Sequence, residues 1–377
     1  MLYNKFKNFL KKKFPELIKK LIIIRDSTTL MRYLKNFFLI NLKKNIHGKR
    51  IISKERGLLF DLTFNNFVSY TIRPKKSKDI IIEKNDYPNE DTAIIIQGNL
   101  DGLKNFTKET IEIYLKLFTS STIILSTWDT DIDENFFNSY NDKIKIIINK
   151  KPKNIIHSTD LQTISTSSAV KLAKSLNIKF CLKTRTDCRI YKKNAITHLK
   201  DLLNTFPINP KFKDLESRVI SCSVDTRKYR VYGFSDIMLF GTTKNIGNYF
   251  SDESFEDGLK KNNFGQYPSL MKDTAVLHEI FLCARFLKYS NISFDWTLED
   301  WWKKCRDLFC VVDPSTIDLF WFKFHWKYEQ RFLTNYTSDF TQSLQFSDWL
   351  NLYNNKDYKF DENLKEKWRI EGGVFVQ

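Results

Sequence analysis

The sequence predicts an α/β fold in which a mostly parallel sheet is flanked by helices. Three observations point there. Short Ile- and Leu-rich runs recur along the middle of the chain, and helical patterns separate them. The runs are nearly continuous rather than alternating, as expected of strands buried on both faces. Three of them end in polar tips, Gln97-Gly98, Thr127-Trp128-Asp129 and Arg185-Thr186-Asp187. Open parallel sheets bind ligands at such carboxyl ends.

The elements follow in order. Ala93–Ile96 is a first strand. Thr107 is placed to cap a helix whose Ile111, Tyr114, Leu115 and Phe118 share one face. Thr122–Leu125 and Ile144–Ile148 are strands, and the spacing of Leu161, Ile164, Ala169, Leu172, Ala173 and Leu176 predicts a helix. Ile178–Leu182 is a fourth strand. Val219–Val224 and Val231–Phe240 read as a strand pair, and Thr274–Tyr289 as a largely buried helix. Five Trp, at 296, 301, 302, 321 and 326, gather near the C-terminal end of this body. Such clusters are more often core than sugar-stacking platforms. Asp313-Pro314 reads as a turn.

Composition bounds the rest. With 377 residues, 42% of them apolar and 15% aromatic, the chain has ample material for a core. Residues 1–50 carry fourteen Lys and Arg against two acids, Glu16 and Asp26, so they hold +12 of the total +17. Their apolar stripe, Phe6, Phe9, Leu10, Phe14, Leu17 and Leu21, alternates with lysines and is interrupted by Pro15. This basic helical arm would suit an anionic membrane surface or, equally, would pack on the body with its lysines in water. Charge confined to one end argues against a nucleic-acid groove, so no nucleic-acid partner is expected. The six cysteines contain no C-x-x-C pair and His is scarce at 5, which disfavours zinc. No signal peptide or membrane-spanning run is evident. The expected location is the cytoplasm, with the inner membrane face as a peripheral site if the arm binds it. The expected organisation is a basic helical region over 1–90, a catalytic domain over 91–295 and a mainly helical extension over 296–377.

Several common chemistries are missing their motifs. No G-x-G-x-x-G, P-loop, G-x-S-x-G or H-E-x-x-H occurs. Asp187 is the most informative carboxylate, just past a buried strand with Arg185 and Arg189 nearby. It would hold a divalent cation against a diphosphate, or form a structural pair with arginine. Arg185 would grip phosphate oxygens directly.

The strings Ile94-Ile95-Ile96-Gln97-Gly98, Ile124-Leu125-Ser126-Thr127-Trp128, Lys183-Thr184-Arg185-Thr186-Asp187 and Gly233-Phe234-Ser235-Asp236, in this order, resemble the WavE lipopolysaccharide-synthesis family. The resemblance covers roughly residues 91–330. It implies a GT-A-like, Rossmann-type glycosyltransferase. Such an enzyme moves a sugar from a nucleotide-sugar donor to a glycan or lipid-linked glycan acceptor, in lipopolysaccharide or capsule. By position it places Gln97, Gly98, Thr127, Asp129, Gln162, Arg185 and Arg189 around the nucleotide. Asp187 takes the last place of an Asp-x-Asp motif that would hold Mn²⁺ or Mg²⁺. Arg185 stands where that motif has its first acid, which puts metal dependence in question.

Transfer also needs a base for the acceptor hydroxyl. Glu279, on an apolar helical arc, is the preferred candidate, because burial would raise its pKa. Asp236 is the second, and would otherwise contact donor sugar or acceptor. A buried Glu279 paired with Arg285 or Arg306 would be structural instead. His278 reads as a polar-side helix residue. Two other classes stay open, a nucleotidyltransferase or other nucleotide-sugar enzyme with Asp101-Gly102 as a thin phosphate loop, and a non-enzymatic basic binder.

Overall fold

The structure is a computed structural model. It describes residues 73–74, 76–80, 88–100, 103–132, 134–152, 158–251, 278–322 and 343–361. The basic arm, Asp101-Gly102 and Trp326 lie outside the described residues.

Nine strands and nine α-helices are described. They run β1 (Thr92–Gln97), α1 (Lys104–Leu117), β2 (Thr122–Trp128), α2 (Glu134–Tyr140), β3 (Lys145–Asn149), α3 (Ser158–Ser175), β4 (Phe180–Arg185), β5 (Cys188–Ile190) and α4 (Ala195–Thr205). Then come β6 (Val219–Cys222), β7 (Leu239–Thr242), α5 (Thr243–Tyr249), α6 (His278–Tyr289), α7 (Leu298–Leu308), β8 (Phe309–Val312), α8 (Pro314–Ile317), β9 (Leu319–Trp321) and α9 (Phe346–Asn354).

Seven strands form one sheet in the order β3-β2-β1-β4-β7-β6-β8. Six point the same way, and β7 alone is antiparallel to both neighbours. The chain steps outward from β1 to β2 and β3, then returns to β4 on the other side of β1. The strand order therefore reverses between β1 and β4, which opens a crevice at their carboxyl ends. Right-handed crossovers put α1 and α2 on one face and α3 on the other. Ala93, Ile94, Ile95 and Ile96 are fully buried, as strands covered on both faces must be.

Some expected elements shift. The first helix begins at Lys104. Thr107 lies inside it rather than capping it, and its hydroxyl donates to the Thr186 carbonyl at 3.1 Å. The strand expected over Val231–Phe240 shrinks to β7, and residues 231–238 form an irregular segment. Asp236 is thus in a loop, not inside a strand. That segment cannot stay extended, because Tyr232 adopts a left-handed backbone at φ 53°. Asp313-Pro314 opens the short helix α8.

The seventh strand of the sheet, β8, comes from beyond residue 295 and pairs with β6. The aromatic C-terminal part is core around it. Trp301 and Trp302 are buried, with their indole N–H groups donating to the carbonyls of Arg227 at 2.9 Å and Lys228 at 2.7 Å. Trp349, on α9, donates to Cys305 O at 3.1 Å. All six cysteines are buried and free. Among the described residues no helix is long and apolar enough to cross a membrane.

Candidate active site

The crevice between β1 and β4 has a floor set by strand register. Gln97 pairs with Arg185 across the two strands. Just beyond, Gly98 has φ +132°, and a Cβ there would meet Thr186 Oγ1 at 2.8 Å. Only glycine fits that turn. The Thr186 hydroxyl donates to Asn99 O at 2.8 Å, tying the ends of β1 and β4 together.

The antiparallel direction of β7 explains how Asp236 arrives here. Leu239 at its start pairs with Lys183 near the end of β4, so the preceding loop lies at the carboxyl edge. Lys183 is fully buried, and its ammonium donates to the backbone carbonyl of Asp236 while facing the Phe250 ring at 5.3 Å. Burial pulls its pKa down to about 8, against the pull of Asp236. The N-terminal part of α3 comes to the same edge, and Gln162 in its second turn donates to the Asp236 carboxylate. Two non-glycine residues of this region, Asp225 (φ 62°) and Tyr232 (φ 53°), are left-handed. The Tyr232 hydroxyl holds the strain, donating to Asp300 Oδ2 at 2.7 Å and accepting from Trp296 N at 3.1 Å.

Glu279 stands in the first turn of α6. Burial, with Asp236 and Asp225 close by, raises its pKa to about 7, and Arg230 offsets only part of this. It forms no ion pair among the described residues. The two arginines expected as its partners bond elsewhere. Arg285 donates to Tyr249 O at 3.0 Å, and Arg306 to Asp307 at 2.8 Å. The Asp236 carboxylate lies close enough to raise the Glu279 pKa, so the structure places these two acids near each other. Neighbouring His278 has its ring nitrogens against the hydroxyls of Thr159 and Ser158.

Arg185 and Asp187 form a two-pronged ion pair, Nε to Oδ1 at 2.9 Å and Nη2 to Oδ2 at 3.2 Å. Trp321 Nε1 donates to Oδ2 at 2.9 Å, and the Cys188 thiol lies 3.6 Å from Oδ1. Pairing of β9 with β5 sets Trp321 opposite Cys188 and delivers that indole. Burial would raise the Asp187 carboxyl, but the Arg185 guanidinium and these donors hold it below the ordinary carboxylate range. Its four lone-pair positions face four donors. A divalent cation does not fit here, since it would have to displace a donor and sit beside a guanidinium. Among the described residues no group of three or more His, Cys, Asp or Glu is placed to hold a metal ion.

The other expected contacts divide. Gln97 is buried, with Oε1 accepting from Ser165 at 2.9 Å. Thr127 is buried, its hydroxyl 2.8 Å from Gly98 O and 2.9 Å from Asp131 Oδ2. Asp129 is exposed at the end of β2, with Oδ1 accepting from Lys151 N at 3.3 Å. Arg189 departs furthest from expectation. It is buried and spends its guanidinium on α1, donating to Thr110 Oγ1 and Phe106 O, both at 2.9 Å, and to the Tyr191 hydroxyl at 3.0 Å. It braces α1 against β5.

Three participants escape sequence reasoning. Lys183 and Trp321 act through partners remote in the chain, and Asp131 accepts from Leu100 N at 3.0 Å to hold the turn after β1. The one available signal was a lysine directly following the apolar run Phe180–Leu182.

No family model matches the chain, and no curated protein does. Solved structures overlap it only loosely. A glycosyltransferase involved in glycosylation of the major capsid of PBCV-1 is 11% identical, with 47% of this chain and 79% of that one covered at a TM-score of 0.24. HddC from Yersinia pseudotuberculosis is 12% identical, with 43% and 81% covered at 0.28. The glycosyltransferase GlyE of Streptococcus pneumoniae is 11% identical, with 74% and 59% covered at 0.32. Overlaps this loose say nothing about chemistry, so the function of the crevice has to come from the chain's own residues.

Proposed function

We propose that the protein is a nucleotide-sugar-dependent glycosyltransferase with Glu279 as its base. The observation that carries this is a convergence at one strand-order reversal. Arg185 and Glu279 both lie within electrostatic reach of Asp236, and Glu279, with a pKa of about 7, has no ion-pair partner among the described residues. Such a pair suits one reaction class, in which a hydroxyl loses a proton while an anionic group departs.

In the proposed step Glu279 takes the proton of an acceptor hydroxyl. The hydroxyl oxygen bonds to the anomeric carbon of the donor sugar. The bond from that carbon to the diphosphate breaks, and its electron pair leaves with the nucleoside diphosphate. Asp236, held by Gln162 and Lys183, contacts donor sugar or acceptor and keeps the Glu279 pKa high through its charge. No metal is bound by Asp187, because its donor set is already full.

The acceptor class comes from the WavE-like strings, whose Gln97-Gly98, Arg185-Thr186-Asp187 and Gly233–Asp236 segments all border this crevice. It is a hydroxyl of a lipopolysaccharide or capsule glycan, free or lipid-linked. The basic arm over residues 1–50 would hold the enzyme on an anionic membrane surface where such acceptors lie. Deleting it is expected to release the chain from anionic liposomes, and binding that persists at physiological salt would remove the tether.

The primary test is a thermal-shift panel of nucleoside diphosphates and nucleotide-sugars on the full chain, followed by product analysis. One nucleotide class should raise the melting temperature and be turned over with an acceptor glycan. Stabilisation by none of them would overturn the assignment.

A further inference from the structure

Resting on the transferase assignment, we propose that the Arg185 guanidinium is the diphosphate site. Asp187 and Trp321 orient it, and it does the work that a divalent cation does where an Asp-x-Asp motif is intact.

A guanidinium has five N–H donors in one plane, so the edge it spends on protein decides which edge a ligand can use. Arg185 gives two donors, from Nε and Nη2, to the two oxygens of Asp187. Both lie on the side edge of the fork. The other three, two on Nη1 and one on Nη2, have no hydrogen-bond partner among the described residues. The Arg185 side chain keeps 27% of its surface exposed while Asp187 keeps 5%. The acid is buried behind the cation, and the cation's remaining edge faces outward. That edge has the spacing to take two phosphate oxygens at once.

Arg189, four residues later, shows what an arginine with a purely structural role looks like in this chain. All three of its nitrogens donate to α1 or Tyr191, and it is buried. Arg185 is tethered on one side only. Its tether is stiff, because Asp187 is held in turn by Trp321 Nε1 and the Trp321 ring lies 5.6 Å from the guanidinium carbon. A charge fixed before the ligand arrives costs little reorganisation when negative charge develops.

The surroundings leave this task to Arg185. The amide of Gly98 already donates to Ser126 O at 3.2 Å, and that of Thr186 to Gln97 O at 3.0 Å. These strand-end amides are therefore not phosphate donors. Lys183, two residues earlier on β4, is buried against the Asp236 carbonyl. Gly98 beside Arg185 presents no side chain, so a phosphate can approach the strand end closely. As the glycosyl bond breaks, its electron pair settles on the diphosphate oxygen, and the guanidinium balances that charge without transferring a proton.

The test is titration calorimetry of UDP, GDP, CDP, ADP and dTDP into the full chain, once in EDTA and once in Mn²⁺. One nucleotide is expected to bind in EDTA within about threefold of its affinity in Mn²⁺. Arg185→Ala should weaken it about 10- to 100-fold, the size of lost charge-assisted bonds. Arg185→Lys keeps the charge and guards against misfolding, and should recover only part of the loss because it lacks the fork. Binding seen only with Mn²⁺ would overturn the proposal and leave the transferase assignment standing. So would unchanged binding by a folded Arg185→Ala, which would make the pair structural only. Binding of no nucleotide in either buffer would overturn both.

Discussion

The ammonium of Lys183 donates to the backbone carbonyl of Asp236, 53 residues further along the chain. One bond thereby joins the end of β4 to the loop that carries an acid of the candidate site. The loop has little regular structure of its own, so its position depends on such contacts. A fully buried lysine is costly, and here the cost is offset in part by the bond to the Asp236 carbonyl.

Lys183→Met should release that loop. Displacement of Asp236 by about an ångström would lower transfer on the order of 100-fold. The stability readout is independent of activity. Lys183 has a folded pKa of about 8, below its ordinary 10.5. Between those values the native state binds fewer protons than the unfolded chain, so wild-type stability should rise as pH climbs from 8 to 10.5. The variant should lack that rise. Urea unfolding at about pH 7.5 and pH 10, either side of most of that window, measures it. Parallel curves for both proteins would contradict the burial argument.

Glu279→Gln should abolish transfer and leave nucleotide-sugar binding intact, since the side chain is asked only to accept a proton. Its folded pKa of about 7 lies above the ordinary 4.5. The native state then holds the proton more tightly, and wild-type stability falls as pH rises from 4.5 to 7. The variant should therefore gain stability relative to wild type at about pH 8 and lose that advantage near pH 4.5. A variant that loses binding and melts lower than wild type above neutral pH would mark Glu279 as structural.

The wild-type rate should also track Glu279. The base works only when ionised, so turnover at saturating donor is expected to increase with pH through a limb near 7. A flat profile from about pH 5.5 to about pH 8 would exclude Glu279 as base, and Asp236 would take its place.

Gly98→Ala places a methyl against Thr186 Oγ1 at 2.8 Å in a backbone of φ +132°. The expected cost is about 1–3 kcal/mol. A second change, Thr186→Ala, removes the clashing atom and should restore part of it. Denaturant midpoints of the two single variants and the double variant form the cycle.

Trp321→Phe keeps the ring near Arg185 and deletes the bond to Asp187. Loss of a bond to a charged acceptor should cost about 1.5–3 kcal/mol, read as a lower melting temperature. Nucleotide affinity should fall with it, because the guanidinium loses its stiff backing.

Local pattern was enough for strands β1 to β4 and their carboxyl edge. Continuous Ile runs mark strands buried on both faces, and polar tips mark where those strands stop. Gln97, Arg185, Asp187, Asp236 and Glu279 were legible because each is a polar group placed against an apolar run. Tertiary structure decided their jobs. Arg185 and Arg189 are indistinguishable by spacing, yet one leaves an open edge at the crevice and the other is consumed by α1. Asp187 is an eligible metal ligand by type, and four donors remove that option, one of them an indole 134 residues away. Periodicity reports what a residue's nearest turns of chain require. It carries no information on strand order or on which distant element supplies a hydrogen bond, and those two facts determine which charges remain available to a ligand.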